Sequence, residues 1–169
     1  MSTSSLLASL YQYKAWANEE LFTAVKALDQ EESQADLHSA TRILNHIYVV
    51  DRIFAANLQG LSPEYTDTNT TETPTLEGLC QSVREMDGWY IDYVASLADQ
   101  QLPEKLTFRF VDGDTGTMSR EEILIHVISH GTYHRGAVGR IMAEQSIAAP
   151  RDIFTRFLHE SEPGRRNGA

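Results

Sequence analysis

Apolar residues recur at helical spacing in four long segments of the chain, and this periodicity predicts four amphipathic helices. The four stripes are Leu6, Leu10, Tyr13, Ala17, Leu21, Val25 and Leu28; Ile43, Ile47, Val50, Phe54 and Leu58; Leu76, Leu79, Val83, Met86, Tyr90 and Leu97; and Ile123, Leu124, Val127, Ile128, Val138 and Ile141. A shorter apolar group follows Pro150 and predicts a short last helix, whose inner side carries Ile153, Phe154 and Phe157.

A different periodicity precedes the fourth stripe. In residues 106–118, Leu106, Phe108 and Phe110 alternate with polar residues and are followed by a Gly/Asp turn. Alternation with a period of two around such a turn is typical of a β-hairpin. The sequence therefore predicts a small hairpin between the third and fourth long helices.

Two further signals concern how the helices begin and connect. Ser119 with Glu122 three residues later forms a capping-box pattern at the start of the fourth helix. The connection 61–75 is long for a simple turn and favours at least one crossover. Together these patterns predict an all-α fold, a four-helix bundle with a small hairpin before the fourth long helix and a short C-terminal helix. We expect one domain over residues 1–169.

Composition narrows the partners of this bundle. The 169 residues carry a net charge of −10, which disfavours nucleic acid because phosphate binding needs a basic surface. No apolar run approaches the roughly 20 residues that cross a bilayer, and the N-terminal segment lacks the pattern of a signal peptide. We therefore expect no membrane partner and a cytoplasmic location. The single cysteine, Cys80, excludes an internal disulfide and is interpreted as a core residue.

Three of the six histidines lie on the predicted fourth helix, each four residues after the last: His126, His130 and His134. Residues four apart on a helix lie about 6 Å apart along its axis, so two imidazoles can reach one ion. The outer two are about 12 Å apart and cannot. On the helical wheel His134 lies within the apolar arc, His130 beside it, and His126 toward the polar edge. The candidate metal ligands on this helix are therefore His130 and His134.

A histidine pair on an apolar helix face has two interpretations. The imidazoles are either core residues that hydrogen-bond to neighbours or metal ligands, and the spacing alone leaves both open. A third ligand must come from another helix, where His46 is the candidate because it lies beside Ile43, Val50 and Ile53 on the wheel. Three imidazoles leave an open position for water or substrate, as in catalytic sites. All-nitrogen ligation suits zinc, nickel, copper or iron(II).

With these residues, the chain resembles the DinB/YfiT-like (damage-inducible) family of bacterial metal-binding four-helix bundles. The resemblance covers nearly the whole chain and rests on YKAWANEEL, LNHIYVVDRIF, LTFRF and HVISHGTYHRGAVGRIM. The last segment, residues 126–142, is the most specific, because it is similar to the family's H-x3-NH-x3-HRGQ pattern. Ser129 and Ala137 stand where the family often has Asn and Gln, which bears on the surroundings of the site and on the substrate.

The resemblance implies a metal triad of His46, His130 and His134, the same residues that the wheel favours. It implies one divalent transition metal, zinc or nickel ahead of iron or copper. Some members are S-transferases or isomerases that use low-molecular-weight thiols, and others are described as metal-dependent hydrolases. The resemblance thus implies a small-molecule substrate, a thiol as one partner, and a homodimer. A non-catalytic, stress-related metal-binding module is the alternative to an enzyme.

The remaining polar residues around this site are harder to assign. No residue stands out as a general base, and the candidates are His126, Glu122 and Tyr133, all at the rim of the helical wheel. His126 is also interpreted as a residue beside the metal ligands or on a solvated helix face. Asp51 and Arg52 are interpreted as a solvated or ion-paired face of the second helix.

Overall fold

The computed structural model describes residues 2–29 and 31–165, in which five α-helices accompany one two-stranded antiparallel sheet. The helices are α1 (Thr3–Val25), α2 (Gln34–Leu58), α3 (Leu76–Ser96), α4 (Arg120–Glu144) and α5 (Phe154–Ser161), and the strands are β1 (Lys105–Arg109) and β2 (Thr115–Ser119). The predicted bundle, hairpin and C-terminal helix are confirmed. The outermost residues of the predicted domain lie outside the described residues. No helix within the described ranges is long and apolar enough to cross a membrane.

Three of the long helices begin at a side chain that caps their free N–H groups. Ser2 accepts a backbone hydrogen bond of 3.2 Å at the start of α1, and Thr75 accepts one of 3.2 Å at the start of α3. At the start of α4, the Ser119 hydroxyl accepts from the Glu122 N–H at 3.2 Å. The Glu122 carboxylate in turn accepts from the Ser119 N–H at 2.6 Å. The predicted capping box is therefore confirmed.

The four long helices form a bundle in which α1 and α2 each pack on α3 and α4. α2 and α3 run parallel, because the hydroxyls of Tyr90 and Tyr93 donate to the carbonyls of Asp51 and Leu58, in the same order along both helices. Parallel helices cannot be joined by a tight turn, so the connection 59–75 returns along the bundle. The crossover favoured by its length is confirmed.

The buried face of α1 differs from the predicted stripe. Leu6, which the stripe placed inside, is 41% exposed. The face toward the bundle consists of Leu7, Tyr11, Lys14, Asn18, Leu21 and Val25. A second buried face, with Tyr13 and Ala17, is covered by Phe157 of α5. The predicted inner side of α5 is thus correct for Phe157 but wrong for Ile153, which is 44% exposed.

The hairpin packs against the C-terminal half of α2, at one end of the bundle. The ring of Phe108 meets the ring of Phe54 edge to face, with centroids 5.8 Å apart. Phe108 pairs with Gly116 across the two strands, and a Cβ atom at Gly116 would overlap the ring of Phe110. Glycine at this position therefore allows Phe110 to fold back over the sheet, toward the face that α2 presents.

Candidate metal centre

Packing of α2 against α4 brings three histidines together. His46 lies in the middle of α2, and His130 and His134 lie on consecutive turns of α4. One ring nitrogen from each lies within 4.8 Å of those of the other two. The ring centroids are 4.9 Å apart for His46–His130, 4.6 Å for His46–His134 and 4.5 Å for His130–His134. We call these three residues the histidine group.

The geometry of the histidine group fits a small divalent ion. Two nitrogens that bind one tetrahedral ion at about 2.0–2.1 Å each lie about 3.4 Å apart. The Nε2 atoms of His46 and His130 are 3.0 Å apart, close to that separation. An all-nitrogen donor set suits zinc, nickel, copper or iron rather than magnesium or calcium. The group could hold such an ion after small movements of the imidazole side chains that bring each nitrogen to bonding distance.

The connection 59–75 orients one of the three rings. Nδ1 of His46 lies 2.7 Å from the backbone oxygen of Thr68. A carbonyl oxygen can only accept a hydrogen bond, so Nδ1 carries the proton and Nε2 presents its lone pair to the histidine group. Asn69 and Thr70 hold the connection in place, since the Asn69 amide donates to the Arg42 carbonyl at 3.1 Å. Sequence analysis missed Thr68, because nothing in a loop sequence marks which carbonyl will face the site.

Burial keeps the imidazoles on α4 neutral. Burial, together with the smaller effects of His134 and His46, lowers the pKa of His130 to about 3. Burial also lowers the pKa of His134, followed by the effect of His46. Nδ1 of His130 is buried and has no hydrogen-bond partner in the described part of the chain. Neutral imidazoles are the form that binds metals, so the electrostatics of the group agree with its geometry.

His126 lies one turn before His130 but outside the histidine group. Its ring is 5.6 Å from the ring of His130 and 4.8 Å from the ring of Phe54. The side chain is half-buried, and burial lowers its pKa. The structure therefore places His126 beside the histidine group, in the wall of the neighbouring cavity, rather than on a solvated helix face.

The other two candidates for a general base point elsewhere. The Glu122 carboxylate is engaged in the capping box at the start of α4. Tyr133 is 78% exposed, although its ring lies 5.1 Å from that of His134. Neither residue lines the cavity next to the histidine group. Of the three predicted candidates, His126 is the one that the structure brings to this cavity.

An apolar cavity of about 410 Å³ adjoins the histidine group. It lies between α2, α4 and the hairpin, and its walls include both His46 and His130. The other lining residues are Val50, Ile53, Phe54, Asn57, Thr68, Arg109, Phe110, Val111, Met118 and His126. We call it the hairpin cavity. A small molecule with an apolar body can therefore lie beside the imidazoles of His46 and His130.

A second polar group lies in the bundle, the buried charged cluster of Lys14, Asp51 and Asp87. Nζ of Lys14 is 2.7 Å from Oδ2 of Asp51 and 2.6 Å from Oδ1 of Asp87. The amide of Asn18 donates to Asp87 at 2.8 Å, and its oxygen accepts from Arg135 at 3.2 Å. The prediction for Asp51 was correct in giving it an ion pair but wrong in allowing a solvated face, because the residue is 2% exposed.

The buried charged cluster perturbs the titration of its own members. Burial raises the pKa of Asp51 to about 6, against the opposing effect of Lys14. Burial alone would lower the pKa of Lys14, but the charges of Asp51 and Asp87 outweigh it and raise that pKa. Asp51 and Lys14 are therefore both charged at neutral pH. Sequence analysis missed this cluster as a unit.

Comparison with known proteins agrees with the fold. Protein DinB of Bacillus subtilis (strain 168) is 27% identical to this chain over 160 residues, which cover 88% of this chain and 92% of the relative. The crystal structure of a DinB-like protein from Bacillus cereus ATCC 10987 superposes with a TM-score of 0.62 at 18% identity, covering 83% of this chain and 91% of the other. The model of the DinB family matches residues 1–165. The chain belongs to the DinB family.

Proposed function

We propose that the chain binds one divalent transition metal through His46, His130 and His134 and uses it to transfer a small thiol to an electrophile. The observation that carries the proposal is the convergence of three imidazoles, with their nitrogens within 4.8 Å, two of which line the apolar hairpin cavity. Three protein ligands leave a coordination position open, as in catalytic zinc sites. Zinc and nickel are the first choices for the ion.

A bound divalent ion lowers the pKa of the thiol or water that occupies its open position, so that a nucleophile is available near neutral pH. The chain itself orients the ligands and holds the electrophile. The Thr68 carbonyl fixes the His46 ring, and the walls of the hairpin cavity hold the electrophile and exclude water. In the transfer, the thiol releases its proton to solvent, a sulfur–carbon bond forms, and the leaving group departs with its electron pair.

The lining of the hairpin cavity favours thiol transfer over hydrolysis. Among the described residues that form it, none is Asp or Glu, and His126 is the one side chain outside the histidine group that could act as a general base for water. A thiol needs less assistance, since metal coordination by itself deprotonates it. Hydrolysis remains the second candidate, because water can occupy the same position. A non-catalytic metal-binding module is the third, and the cavity beside the histidine group argues against it. A homodimer and a cytoplasmic location remain predictions.

The first experiment tests the ligands. Purified protein loaded with zinc or nickel is passed over a desalting column, and the metal retained per chain is measured by mass spectrometry. We expect one equivalent in the parent and a loss of about tenfold or more in His46→Ala, His130→Ala and His134→Ala. His126→Ala is the matched control on the same helix and keeps the metal. Loss in His126→Ala with retention in His134→Ala would reverse the ligand assignment.

The second experiment tests the reaction. The metal-loaded protein is incubated with glutathione or another cellular thiol and a panel of small electrophiles, and the products are separated by liquid chromatography. We expect a thiol conjugate that forms in the parent and in the metal-loaded state only, and that is absent with His130→Ala. A product of water attack, formed without thiol, would make the protein a hydrolase. No turnover in either screen would favour the binding module.

A further inference from the structure

The hairpin cavity contains one permanently charged side chain, Arg109, near the tip of the hairpin. The remaining lining consists of aliphatic and aromatic side chains, two histidines of the histidine group, His126, and the polar residues Asn57 and Thr68. Arg109 is exposed to solvent where it borders this cavity, and its guanidinium presents the planar fork of donors that carboxylates bind. The cavity is therefore chemically polarised, with imidazoles on one side and a cation on another.

The hairpin turn holds Arg109 by only one of its nitrogens. Nε of Arg109 donates to the Gly113 carbonyl at 2.8 Å. The turn that presents this carbonyl is closed by a hydrogen bond of 2.8 Å from the Phe110 N–H to Asp114, and Gly113 adopts a φ of +96° that favours glycine. In the described ranges, Arg109 forms no ion pair, and both terminal nitrogens of its guanidinium lack a protein acceptor.

A second donor in the same wall also lacks a partner. Asn57 is 6% exposed, lines the hairpin cavity, and its Nδ2 atom has no hydrogen-bond partner among the described residues. Buried amide groups are almost always paired, so an unpaired one marks a position where a ligand can complete the bonding. Asn57 therefore contributes an unpaired donor group to the lining of the cavity. Arg109 and Asn57 together offer donors and no acidic competitor.

From these two residues we infer that the hairpin cavity selects a substrate with an apolar body and a carboxylate, and that the carboxylate binds Arg109 with Asn57 as a second donor. A carboxylate carries one charge and matches the fork of one guanidinium. A phosphate monoester would bring close to two charges into an apolar wall that offers one cation. The inference rests on the proposed function for the reacting end of the substrate, which lies at the histidine group. The binding of the carboxylate needs no turnover.

The test uses two probes of the same shape, hexanoate and its neutral amide, hexanamide. Full-length protein, as purified, is titrated with each probe by isothermal calorimetry, in the parent and in Arg109→Gln. We expect the parent to bind hexanoate about tenfold or more tightly than hexanamide, since a charge-assisted pair is roughly twice as strong as a neutral hydrogen bond. In Arg109→Gln this preference falls to within about twofold. Lys105→Gln, which removes one positive charge from the same strand, keeps the preference of the parent.

Two further measurements keep the result decisive. Circular dichroism checks that Arg109→Gln retains the helical signal of the parent, and Arg109→Lys, which keeps the charge but loses the fork, retains part of the preference. Asn57→Leu, a replacement of similar size, weakens hexanoate binding several-fold. Equal affinity of the parent for the two probes, or a preference that survives in Arg109→Gln, would overturn the inference. Neither outcome depends on metal-dependent turnover, so failure of the proposed reaction is recognised separately.

Discussion

Two of the polar groups in the interior of the bundle, the buried charged cluster and the histidine group, are built in opposite ways. In the buried charged cluster, Lys14 reaches both Asp51 and Asp87 within 2.7 Å, so that each carboxylate faces a cation, and one oxygen, Oδ1 of Asp51, has no hydrogen-bond partner among the described residues. In the histidine group, the imidazoles converge on one another, and Nδ1 of His130 is buried without a partner among the described residues. One group is nearly closed upon itself, whereas the other leaves lone pairs directed at a shared point.

This difference separates a structural role from a binding role. Buried charges that are paired resist the removal of either partner, because the remaining charge is stranded in a medium of low dielectric. Neutral imidazoles with lowered pKa values carry a smaller cost and keep their lone pairs available to an ion. We therefore expect substitutions in the buried charged cluster to act on folding and substitutions in the histidine group to act on metal binding.

The largest effect is expected from Lys14→Ala. The substitution leaves Asp51 and Asp87 facing each other in the interior without their cation, where both side chains are at most 6% exposed. Breaking a buried ion pair by removing one partner costs about 3–5 kcal/mol. Urea unfolding followed by circular dichroism measures the loss, and the metal content per folded chain stays near that of the parent.

Arg140→Ala is the matched control for Lys14→Ala. It also removes one cation from an ion pair, but the Arg140–Glu144 pair lies on the surface, with side chains 75% and 57% exposed. An exposed pair of this spacing contributes about 0.5 kcal/mol or less. Equal losses in the two variants would mean that the buried charged cluster contributes no more than a surface pair, and the contrast between the two polar groups would not hold.

Removal of the metal is expected to have an intermediate effect. Four long helices with their own apolar core form without an ion, unlike a zinc finger. Binding to the folded state alone stabilises by about 2.7 kcal/mol when the free ion exceeds its dissociation constant 100-fold. Adding a chelator should therefore lower the melting temperature and leave the helical signal intact at room temperature.

His130→Ala sharpens this prediction, because it should melt like the metal-free parent and show no further change with chelator. The imidazole it removes has an unpaired buried nitrogen, so little folding energy is lost with it. Collapse of the helical signal on chelation of the parent would instead make the ion a structural element and move the histidine group to the same class as the buried charged cluster.

The sequence revealed the histidine group more readily than the buried charged cluster, for a physical reason. Periodicity locates helices through apolar residues, and it placed His134 within the apolar arc of α4 and His130 beside it, because Val127 and Val138 lie one turn from them. His46 followed from the same argument on α2. The capping box and the alternation around the hairpin turn are local signals, and the structure agrees with them.

The buried charged cluster escaped because charge interrupts the pattern that periodicity uses. Lys14 occupies a regular position of the buried face of α1, between Tyr11 and Asn18, but a lysine is ordinarily assigned to solvent. The available signal was the helical spacing, because Tyr11, Lys14 and Asn18 follow Leu7 at intervals of four, three and four residues. Its partners lie on two other helices, and only tertiary packing brings them within reach. The same holds for the Thr68 carbonyl, whose role depends on where the crossover connection passes α2.

Per pH unit, the smallest of the three effects is the pH dependence of stability that Asp51 contributes. Burial raises its pKa from the ordinary 3.8 to about 6, while Lys14 and Arg135 oppose the shift and Asp87 adds to it. Between these two values the folded state retains a proton that the unfolded state has released. Stability therefore falls as pH rises through this window, by at most about 1.4 kcal/mol per pH unit, and the cost is fully present above it.

Asp51→Asn isolates this contribution, because an amide does not titrate. Urea unfolding of the parent and the variant, both with chelator present so that metal binding adds nothing, gives their difference in free energy across acid to neutral pH. We expect the stability of the parent relative to Asp51→Asn to decrease as pH rises toward about 6 and to level off above it. An increase over the same range would mean that Lys14 dominates and lowers the pKa of Asp51. In that case the ionised Asp51 would stabilise the fold at every pH above the lowered pKa. Its ionisation would add to stability instead of reducing it.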